Sequence, residues 1–231
     1  MKKVLITGAT SGIGYATLKE LVNKYEVIFT YHHNEEKALE ITSKYHIKGY
    51  YLDLGDKESI EKLVDSIDNI DILINNAAIC LDNSFEDKTC MEFSKVVNVN
   101  LTGTYYLTKL LSKKINNGGN ILFISSTNGI DTYYIESIDY DASKAGVISL
   151  MHNFAKQLAP IRVNAIAPGW VDTEMNASLS DKFKKKEEEH ILLKRFASPE
   201  EISKVINFVI SDDASYINDT VIRVDGGVNN G

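Results

Sequence analysis

The 231-residue chain has little cysteine, proline or arginine. Its two cysteines, Cys80 and Cys90, are too few for a disulfide framework or a zinc cage, and they are typical of the reducing cytoplasm. The N-terminus leads directly into a short apolar run, so we expect neither a secretory signal nor a membrane-spanning helix. His152 and His190 have no cysteine or carboxylate at ligand spacing, so no metal site is expected.

Positive charge is also scarce, because the chain has 25 lysines and arginines but 32 aspartates and glutamates, which gives a net charge of −7. A surface of this kind repels phosphate groups, so neither nucleic acid nor a membrane is an expected partner. The densest charge run, residues 182–189, carries both signs at helical spacing. It predicts a solvated helix face with pairing of Lys184 to Glu188 and Lys185 to Glu189.

The chain does contain a regular alternation of short apolar runs and amphipathic segments. Apolar runs without polar alternation are typical of parallel strands that are buried on both faces. No linker interrupts the pattern, so it predicts one domain over residues 1–231 with an α/β fold, a doubly wound parallel sheet of about seven strands with helices on both faces. The predicted strands are 3–7, 26–31, 49–54, 70–75, 120–125, 162–166 and 221–224, and the predicted helices include 15–23, 57–66, 91–115, 143–158 and 199–210.

A glycine-rich turn, TGATSGIG, follows the first predicted strand at residues 7–14. Gly8, Gly12 and Gly14 allow the backbone to turn tightly and to approach a pyrophosphate, and the next helix offers free N–H groups and a positive dipole end. The position between strand and helix favours dinucleotide binding over a purely structural turn. The G-x-x-x-G-x-G spacing is a variant of the common G-x-G-x-x-G fingerprint.

Tyr140 and Lys144 are four residues apart, so on a helix they share one face. A free phenol has a pKa of about 10, and a neighbouring cation stabilises the phenolate, which favours use of the group in proton transfer. The fifth strand ends in three hydroxyl residues, 125–127, at the carboxyl edge of the sheet where open α/β sheets bind ligands.

In combination these motifs resemble the short-chain dehydrogenase/reductase family over essentially the whole chain, which implies a Rossmann-type fold. Each motif is short, but the order in which they occur is specific. The matching segments are residues 7–14, Asp53-Leu54, residues 75–78 (NNAA), Asn100, Ser126, Tyr140, Lys144, residues 168–173 (PGWVDT) and residues 224–227 (VDGG).

The resemblance implies a role for each matched residue. Tyr140 would exchange a proton with the substrate oxygen, and Ser126 would hydrogen-bond to that oxygen. Lys144 would lower the tyrosine pKa and hold the nicotinamide ribose, and Asn100 would support a water that links the lysine to solvent. The implied cofactor-binding residues are Gly8, Thr10, Ser11, Gly12, Ile13, Gly14, Asp53, Leu54, Asn76, Ala77, Tyr140, Lys144, Pro168, Gly169, Val171 and Thr173.

The interval from Ser126 to Tyr140 is one residue longer than is common in the family. Thr127 is therefore an alternative hydroxyl, although an insertion fits the following loop better than the end of a strand, and we expect Ser126 to act. Tyr133 and Tyr134 lie in that loop and are candidates to line a substrate pocket.

The end of the second strand, residues 28–34, carries no acidic residue. A carboxylate at this position selects NAD, so its absence favours NADP(H), with NAD(H) as the alternative. No cation is present either, and Ser11 stands where many NADP users have a basic residue, so we expect a modest preference that grows as histidine becomes protonated. The residues expected to contact the cofactor here are Tyr31, His32 and His33, and Thr30 and Asn34 are further hydrogen-bond donors.

The predicted activity is that of an NAD(P)(H)-dependent oxidoreductase that interconverts a carbonyl and a secondary alcohol. The short length and residues 192–201 (LLKRFASPEE) resemble 3-oxoacyl-[acyl-carrier-protein] reductases most. An acidic carrier protein needs a cationic docking patch, and only Lys113 and Lys114 suggest one, so another small ketone, a sugar or a steroid stays open as substrate. A dinucleotide-sensing protein without turnover is the remote alternative.

The protein is also expected to be a homo-oligomer, by resemblance a homotetramer. Helical residues in 101–115 and 143–158 are apolar around much of their circumference. A helix that only covers a sheet needs one apolar stripe, so the excess indicates a second buried face.

Overall fold

A computed structural model describes residues 1–177 and 179–228. Its centre is a seven-stranded parallel sheet in the order β3-β2-β1-β4-β5-β6-β7, which confirms the predicted fold class. The strands are β1 Lys3–Ile6, β2 Glu26–Tyr31, β3 Lys48–Tyr51, β4 Ile70–Asn75, β5 Ile115–Ile124, β6 Arg162–Pro168 and β7 Val221–Val224. The helices are α1 Gly12–Leu21, α2 Glu35–Tyr45, α3 Lys57–Ser66, α4 Cys90–Val97, α5 Thr104–Leu111, α6 Ile138–Leu158, α7 Asp181–His190 and α8 Pro199–Ile210.

The apolar strands separate two hydrophobic cores, one on each face of the sheet. In β1, Leu5 belongs to one core, whereas Val4 and Ile6 belong to the other. Successive strand residues point to opposite faces, so a strand that is covered by helices on both sides has to be apolar at every position. This requirement produces the uninterrupted apolar runs of the sequence.

The predicted helix 91–115 differs most from the structure. It is divided into α4 and α5 by a π-helical turn at Asn98–Gly103, and the chain then enters β5 at Ile115. Gly103 lies so close to the β3–α3 connection that an added Cβ would be 2.0 Å from the carbonyl oxygen of Leu54. The apolar pattern did not reveal this local contact or the early start of β5.

Two smaller differences affect the site. The helix α6 begins at Ile138, whereas the apolar pattern started at residue 143, and Tyr140 therefore lies in its first turn. Strand β3 ends at Tyr51, so Asp53 and Leu54 follow the strand instead of ending it. Within the described ranges, no helix is long and apolar enough to cross a bilayer.

The order of the strands reverses between β1 and β4, which are neighbours in the sheet although β2 and β3 follow β1 in the chain. Connections leave these two strands in opposite directions, so a crevice opens at their carboxyl ends. Open α/β sheets bind ligands at such a switch point.

Candidate active site

The glycine loop after β1 is packed against the segment that follows β4. Gly8 has a φ of +67°, and a Cβ there would be 2.9 Å from the Cβ of Ala77. A Cβ on Gly14 would be 2.3 Å from the carbonyl oxygen of Gly8. Both positions therefore require glycine, the first for its backbone conformation and the second for the close approach.

Hydrogen bonds join the same two segments. The Asn76 side-chain amide donates to the carbonyls of Thr7 and Gly8 at 2.9 and 3.0 Å. The hydroxyl oxygen of Thr7 accepts from the N–H groups of Asn76 and Ala77 at 2.9 and 3.0 Å. The floor of the crevice, which we define as Thr7, Gly8, Asn76 and Ala77, is therefore one bonded unit built from two strands.

The N-terminus of α1 points into this crevice. Ser11 is its N-cap residue but makes no side-chain capping bond, and the first turn contains no acidic residue. The N–H of Gly12 donates to a carboxylate oxygen of Glu174 at 2.9 Å, so this helix end already binds an anionic group. Thr10 and Ile13 flank the same turn and are partly exposed. Free N–H groups, the helix dipole and the tight glycine turn fit the pyrophosphate of a dinucleotide.

The segment after β6 closes over the glycine loop. The N–H of Gly169 donates to the carbonyl of Val224 at 3.1 Å, and Val171 is buried and pairs with Ala197. A Cβ on Gly12 would be 3.3 Å from the methyl carbon of Thr173. The structure thus brings the end of the 168–173 segment, at Thr173, against Gly12 of the glycine loop.

At the other end of the crevice, the exposed rings of His32 and His33 lie with their centroids 3.9 Å apart just beyond β2, where Tyr31 is the last residue. His32 Nε2 is 3.5 Å from a carboxylate oxygen of Asp53, a pairing that the sequence did not indicate. Leu54 is buried beside it.

Two of the donors expected at the end of β2 are engaged in the fold. Thr30 is buried and its hydroxyl oxygen accepts from the N–H of Gly8 at 3.2 Å. The side-chain oxygen of Asn34 caps α2 by accepting from the N–H of Lys37 at 3.1 Å. Thr30 is therefore shielded from solvent, whereas His32, His33 and Asn34 are exposed and keep donor groups, so their contact with the cofactor stays a prediction.

Tyr140 and Lys144 lie on one face of α6, beside the carboxyl end of β5. The Lys144 ammonium is 5.3 Å from the centroid of the Tyr140 ring and donates to the carbonyl of Ile124 at 2.8 Å. The Ser126 hydroxyl donates to the Asn128 side-chain oxygen at 3.2 Å and lies close enough to the Tyr140 phenol to lower its pKa. Thr127 is buried in the short turn that follows, where its carbonyl accepts from the next backbone N–H groups. The tyrosine, the serine and the lysine are therefore together.

Burial is the largest influence on the pKa values of Tyr140 and Lys144. It raises the pKa of Tyr140 above its ordinary value, the nearby Cys80 thiol acts in the same direction, and the neighbouring Ser126 hydroxyl only partly opposes them. Burial also lowers the pKa of Lys144 to about 8. Burial therefore sets the direction of the Tyr140 pKa in this structure, and the lowering expected from Lys144 stays a prediction. Tyr140 is a protonated phenol at neutral pH.

Asn100 lies in the π-helical turn and is buried. Its side-chain oxygen accepts from the N–H of Ile79 at 2.8 Å, and its amide donates to the Ile79 carbonyl at 2.8 Å and to the Ser143 hydroxyl at 3.1 Å. The side chain thus fixes the segment after β4 to α6, a structural contact that the motif alone did not indicate.

An aromatic wall made of Tyr134, Trp170 and Phe183 joins the loop before α6 to the segment after β6 and to α7. The three ring centroids are 5.7 to 6.0 Å apart in edge-to-face contacts. The N–H of Tyr134 donates to Asp141, the residue after Tyr140, at 3.2 Å. Tyr133 is instead 74% exposed, and both tyrosines stay candidates to line a substrate pocket.

The remaining candidates lie elsewhere. His152 Nδ1 is 2.5 Å from Asp219 on the surface, and Cys90 is exposed. The charge run forms α7 as predicted, but Lys184 pairs with Asp172 at 3.4 Å instead of with Glu188. Trp170 lies inside the matched PGWVDT segment, which could have indicated it, whereas Phe183 had no signal in the sequence.

Comparison with known proteins agrees with this geometry. A family model described as enoyl-(acyl carrier protein) reductase matches residues 8–229. The chain is 39% identical over 241 residues to a 3-oxoacyl-[acyl-carrier-protein] reductase of Aquifex aeolicus, covering 98% of this chain and 97% of the relative. It is 36% identical over 242 residues to a tropinone reductase homolog of Arabidopsis thaliana, covering 98% and 91% of the two chains.

Among solved structures, a short chain dehydrogenase from Burkholderia cenocepacia in complex with NADP has a TM-score of 0.92 and 26% identity, covering 98% of this chain and 97% of that one. Sequence and structure therefore match over nearly the full length. The chain belongs to the short-chain dehydrogenase/reductase family of oxidoreductases.

Proposed function

We propose that the protein reduces a carbonyl to a secondary alcohol, and catalyses the reverse reaction, with residues 1–231 acting as one dinucleotide-binding and catalytic domain. The observation that carries the proposal is the meeting of the Tyr140 and Ser126 hydroxyls and the Lys144 ammonium at the carboxyl end of β5. This triad lies at the same sheet edge as the glycine loop, where a nicotinamide dinucleotide would be held.

The bound cofactor supplies the hydride. Tyr140, which is protonated at neutral pH because its pKa is raised, gives its proton to the substrate oxygen as that oxygen gains negative charge. Ser126 donates a hydrogen bond to the same oxygen. Lys144 has a pKa of about 8 and lies against the tyrosine ring, so it exchanges protons readily near neutral pH and stabilises the phenolate when it is charged.

The cofactor contacts are assigned by position. Residues 8–14 would hold the pyrophosphate, and Asp53 and Leu54 the adenine. Asn76, Ala77 and residues 168–173 would line the nicotinamide end. The main chain of Asn100 would hold the water that relays protons from Lys144, because the Asn100 side chain is already hydrogen-bonded to Ile79 and Ser143.

NADP(H) is the preferred cofactor in this proposal. The solved relative from Burkholderia cenocepacia contains NADP, and His32 and His33 are exposed donors where a 2′-phosphate would lie. Asp53 is 3.5 Å from His32 and offsets part of its charge, so the preference is modest. We expect the ratio of kcat/KM for NADPH over NADH to rise from pH 8 to pH 6. An NADH preference at both pH values would contradict the assignment.

A 3-oxoacyl thioester is the substrate that the similarity to the Aquifex aeolicus reductase supports. The expected carrier-protein patch is weaker than the sequence indicated, because the Lys114 ammonium donates to the carbonyls of Val64 and Ile67 at 2.7 Å each. A free ketone is the second candidate, favoured by the aromatic wall and by the tropinone reductase homolog among the relatives.

A panel of substrates separates these candidates. The protein, at equal concentration with NADPH, is given a 3-oxoacyl thioester on coenzyme A, the same acyl group on a carrier protein, and free cyclic ketones. The proposed thioester activity predicts the highest kcat/KM for the thioesters. Turnover of none of the panel would support the remote alternative, a dinucleotide-sensing protein.

A homotetramer in the cytoplasm completes the proposal. Tyr105 on α5 is 38% exposed and stacks on the buried Phe154 of α6 with centroids 6.1 Å apart, which leaves aromatic surface on α5 for a partner copy. Light scattering at micromolar concentration should give four times the mass of one chain, and a monomer would contradict it.

A further inference from the structure

A buried ion pair lies beside Tyr140 and has no part in the mechanism above. The Lys88 ammonium is 3.0 Å from a carboxylate oxygen of Asp139, and the two side chains are 5% and 0% exposed. In every other salt bridge within residues 1–177 and 179–228, both partners are at least 11% exposed. Burying two charges is unfavourable unless both are well bonded, so the pair is a poor source of stability alone.

Both carboxylate oxygens of Asp139 are engaged. One faces Lys88, and the other accepts from the N–H of Tyr140 at 2.9 Å. That N–H is in the first turn of α6, where backbone donors have no partner within the helix. The N-cap residue Ser137 does not serve it, because its hydroxyl donates to Asp82 at 2.6 Å. Asp139 therefore supplies the bond that fixes the backbone of the tyrosine.

Lys88 connects this carboxylate to the segment between β4 and α4. Its ammonium also donates to the carbonyl of Leu81. The same segment begins with Asn76 of the crevice floor and contains Ile79, which is held by Asn100. The ion pair thus joins the segment that would hold the cofactor to the helix that carries the proton donor.

The charge of Asp139 matters as well as its position. Two carboxylates near Tyr140 already raise its pKa, and a third without compensation would raise it further. Lys88 cancels that third charge. The charged and polar groups around Tyr140 are Cys80 and Asp82 from the segment after β4, Ser126 from the end of β5, and Asp141 and Lys144 from α6.

We propose that Lys88 and Asp139 form a neutral clamp that positions Tyr140 for proton transfer. Asp139 fixes the tyrosine backbone, and Lys88 both fixes Asp139 and cancels its charge. Both are positioning residues, and the inference rests on the proposed role of Tyr140 as proton donor.

The test compares Lys88→Met, Lys88→Met/Asp139→Asn and the unmodified protein. The single variant leaves a buried carboxylate without its cation, whereas the double variant has no charge and keeps an oxygen at residue 139 that accepts from the Tyr140 N–H. Lys2→Met is the matched control, because it removes the lysine of an exposed pair with Asp212. The measurements are kcat, the KM for cofactor, the pH profile of alcohol oxidation, the melting temperature and hydrogen exchange of the Tyr140 amide.

In Lys88→Met we expect kcat to fall about tenfold or more, with the cofactor KM within about twofold, and the half-maximal pH of alcohol oxidation to rise by about one unit. The Tyr140 amide should exchange about tenfold faster and the melting temperature should fall. The double variant should return kcat to within about threefold of the parent and restore its pH profile. Lys2→Met should match the parent.

A parent-like kcat and pH profile in Lys88→Met would overturn the clamp, and so would a double variant as impaired as the single one. If Lys88→Met does not fold, the double variant decides: parent-like activity supports the clamp, and an inactive or unfolded double variant overturns it. If the parent itself turns over no substrate, the proposed function fails separately. The clamp is then judged on amide exchange and melting temperature alone, where equal values in parent and single variant overturn it.

Discussion

Lys144→Met should make the protein more stable at neutral pH while removing its activity. Lys144 is 4% exposed, and burial lowers its pKa from 10.5 to about 8. In the unfolded chain the lysine keeps its ordinary pKa, so the folded state binds the proton more weakly. The resulting cost to folding is fully present below pH 8 and disappears as the pH rises through 10.5.

The size of this cost follows from the shift. A change of 2.5 units at about 1.4 kcal/mol per unit gives on the order of 3 kcal/mol at pH 7. Methionine has nearly the same length but leaves the Ile124 carbonyl without its donor, at a cost of about 1 kcal/mol. The variant should therefore gain about 2 kcal/mol in the free energy of unfolding at pH 7, and this gain should vanish near pH 10.

Urea unfolding of both proteins at pH 7 and pH 10 measures the difference. Lys114→Met is the control, because the Lys114 ammonium also donates to backbone carbonyls, here the two of Val64 and Ile67 at the carboxyl end of α3, where a cation is favourable. It should lose stability at both pH values. A Lys144→Met variant that is less stable than the parent at pH 7 would refute the reasoning that burial of this charge is costly.

Three further outcomes are expected. Tyr140→Phe should reduce kcat by at least about a thousandfold, with the Kd for NADPH changed less than about threefold by fluorescence titration, since only the proton donor is lost; retained turnover would contradict the assignment. Ser126→Ala should reduce kcat far more than Thr127→Val, and the reverse ranking in steady-state assays would move the role by one residue. Glu174→Gln should lower the Kd for NADPH about three- to tenfold at low salt, because the carboxylate that accepts from the Gly12 N–H repels the diphosphate of the cofactor. An unchanged Kd would show that Glu174 does not oppose cofactor binding.

The sequence was sufficient to predict the parallel sheet and its helices on both faces. The four-residue spacing of Tyr140 and Lys144 predicted a shared helix face, and α6 carries both residues, although it begins five residues before the predicted helix. The sequence did not reveal contacts between distant segments. The bond from Gly12 to Glu174 and the pair of Lys88 with Asp139 join residues that no spacing rule connects. The protonation of Tyr140 was also missed, because desolvation depends on the packed surroundings.

The hydrogen-bonded floor of the crevice also determines how its two loops can unfold locally. Thr7 and Gly8 cannot separate from Asn76 and Ala77 without breaking four hydrogen bonds at once, and the strands beneath them, β1 and β4, are paired. Local fraying of either loop is therefore coupled to the other. Their amides should exchange with solvent at one common rate, as a single cooperative unit. Grafting the glycine loop into another protein without Asn76 would therefore remove the hydrogen bonds that hold Thr7 and Gly8 in place.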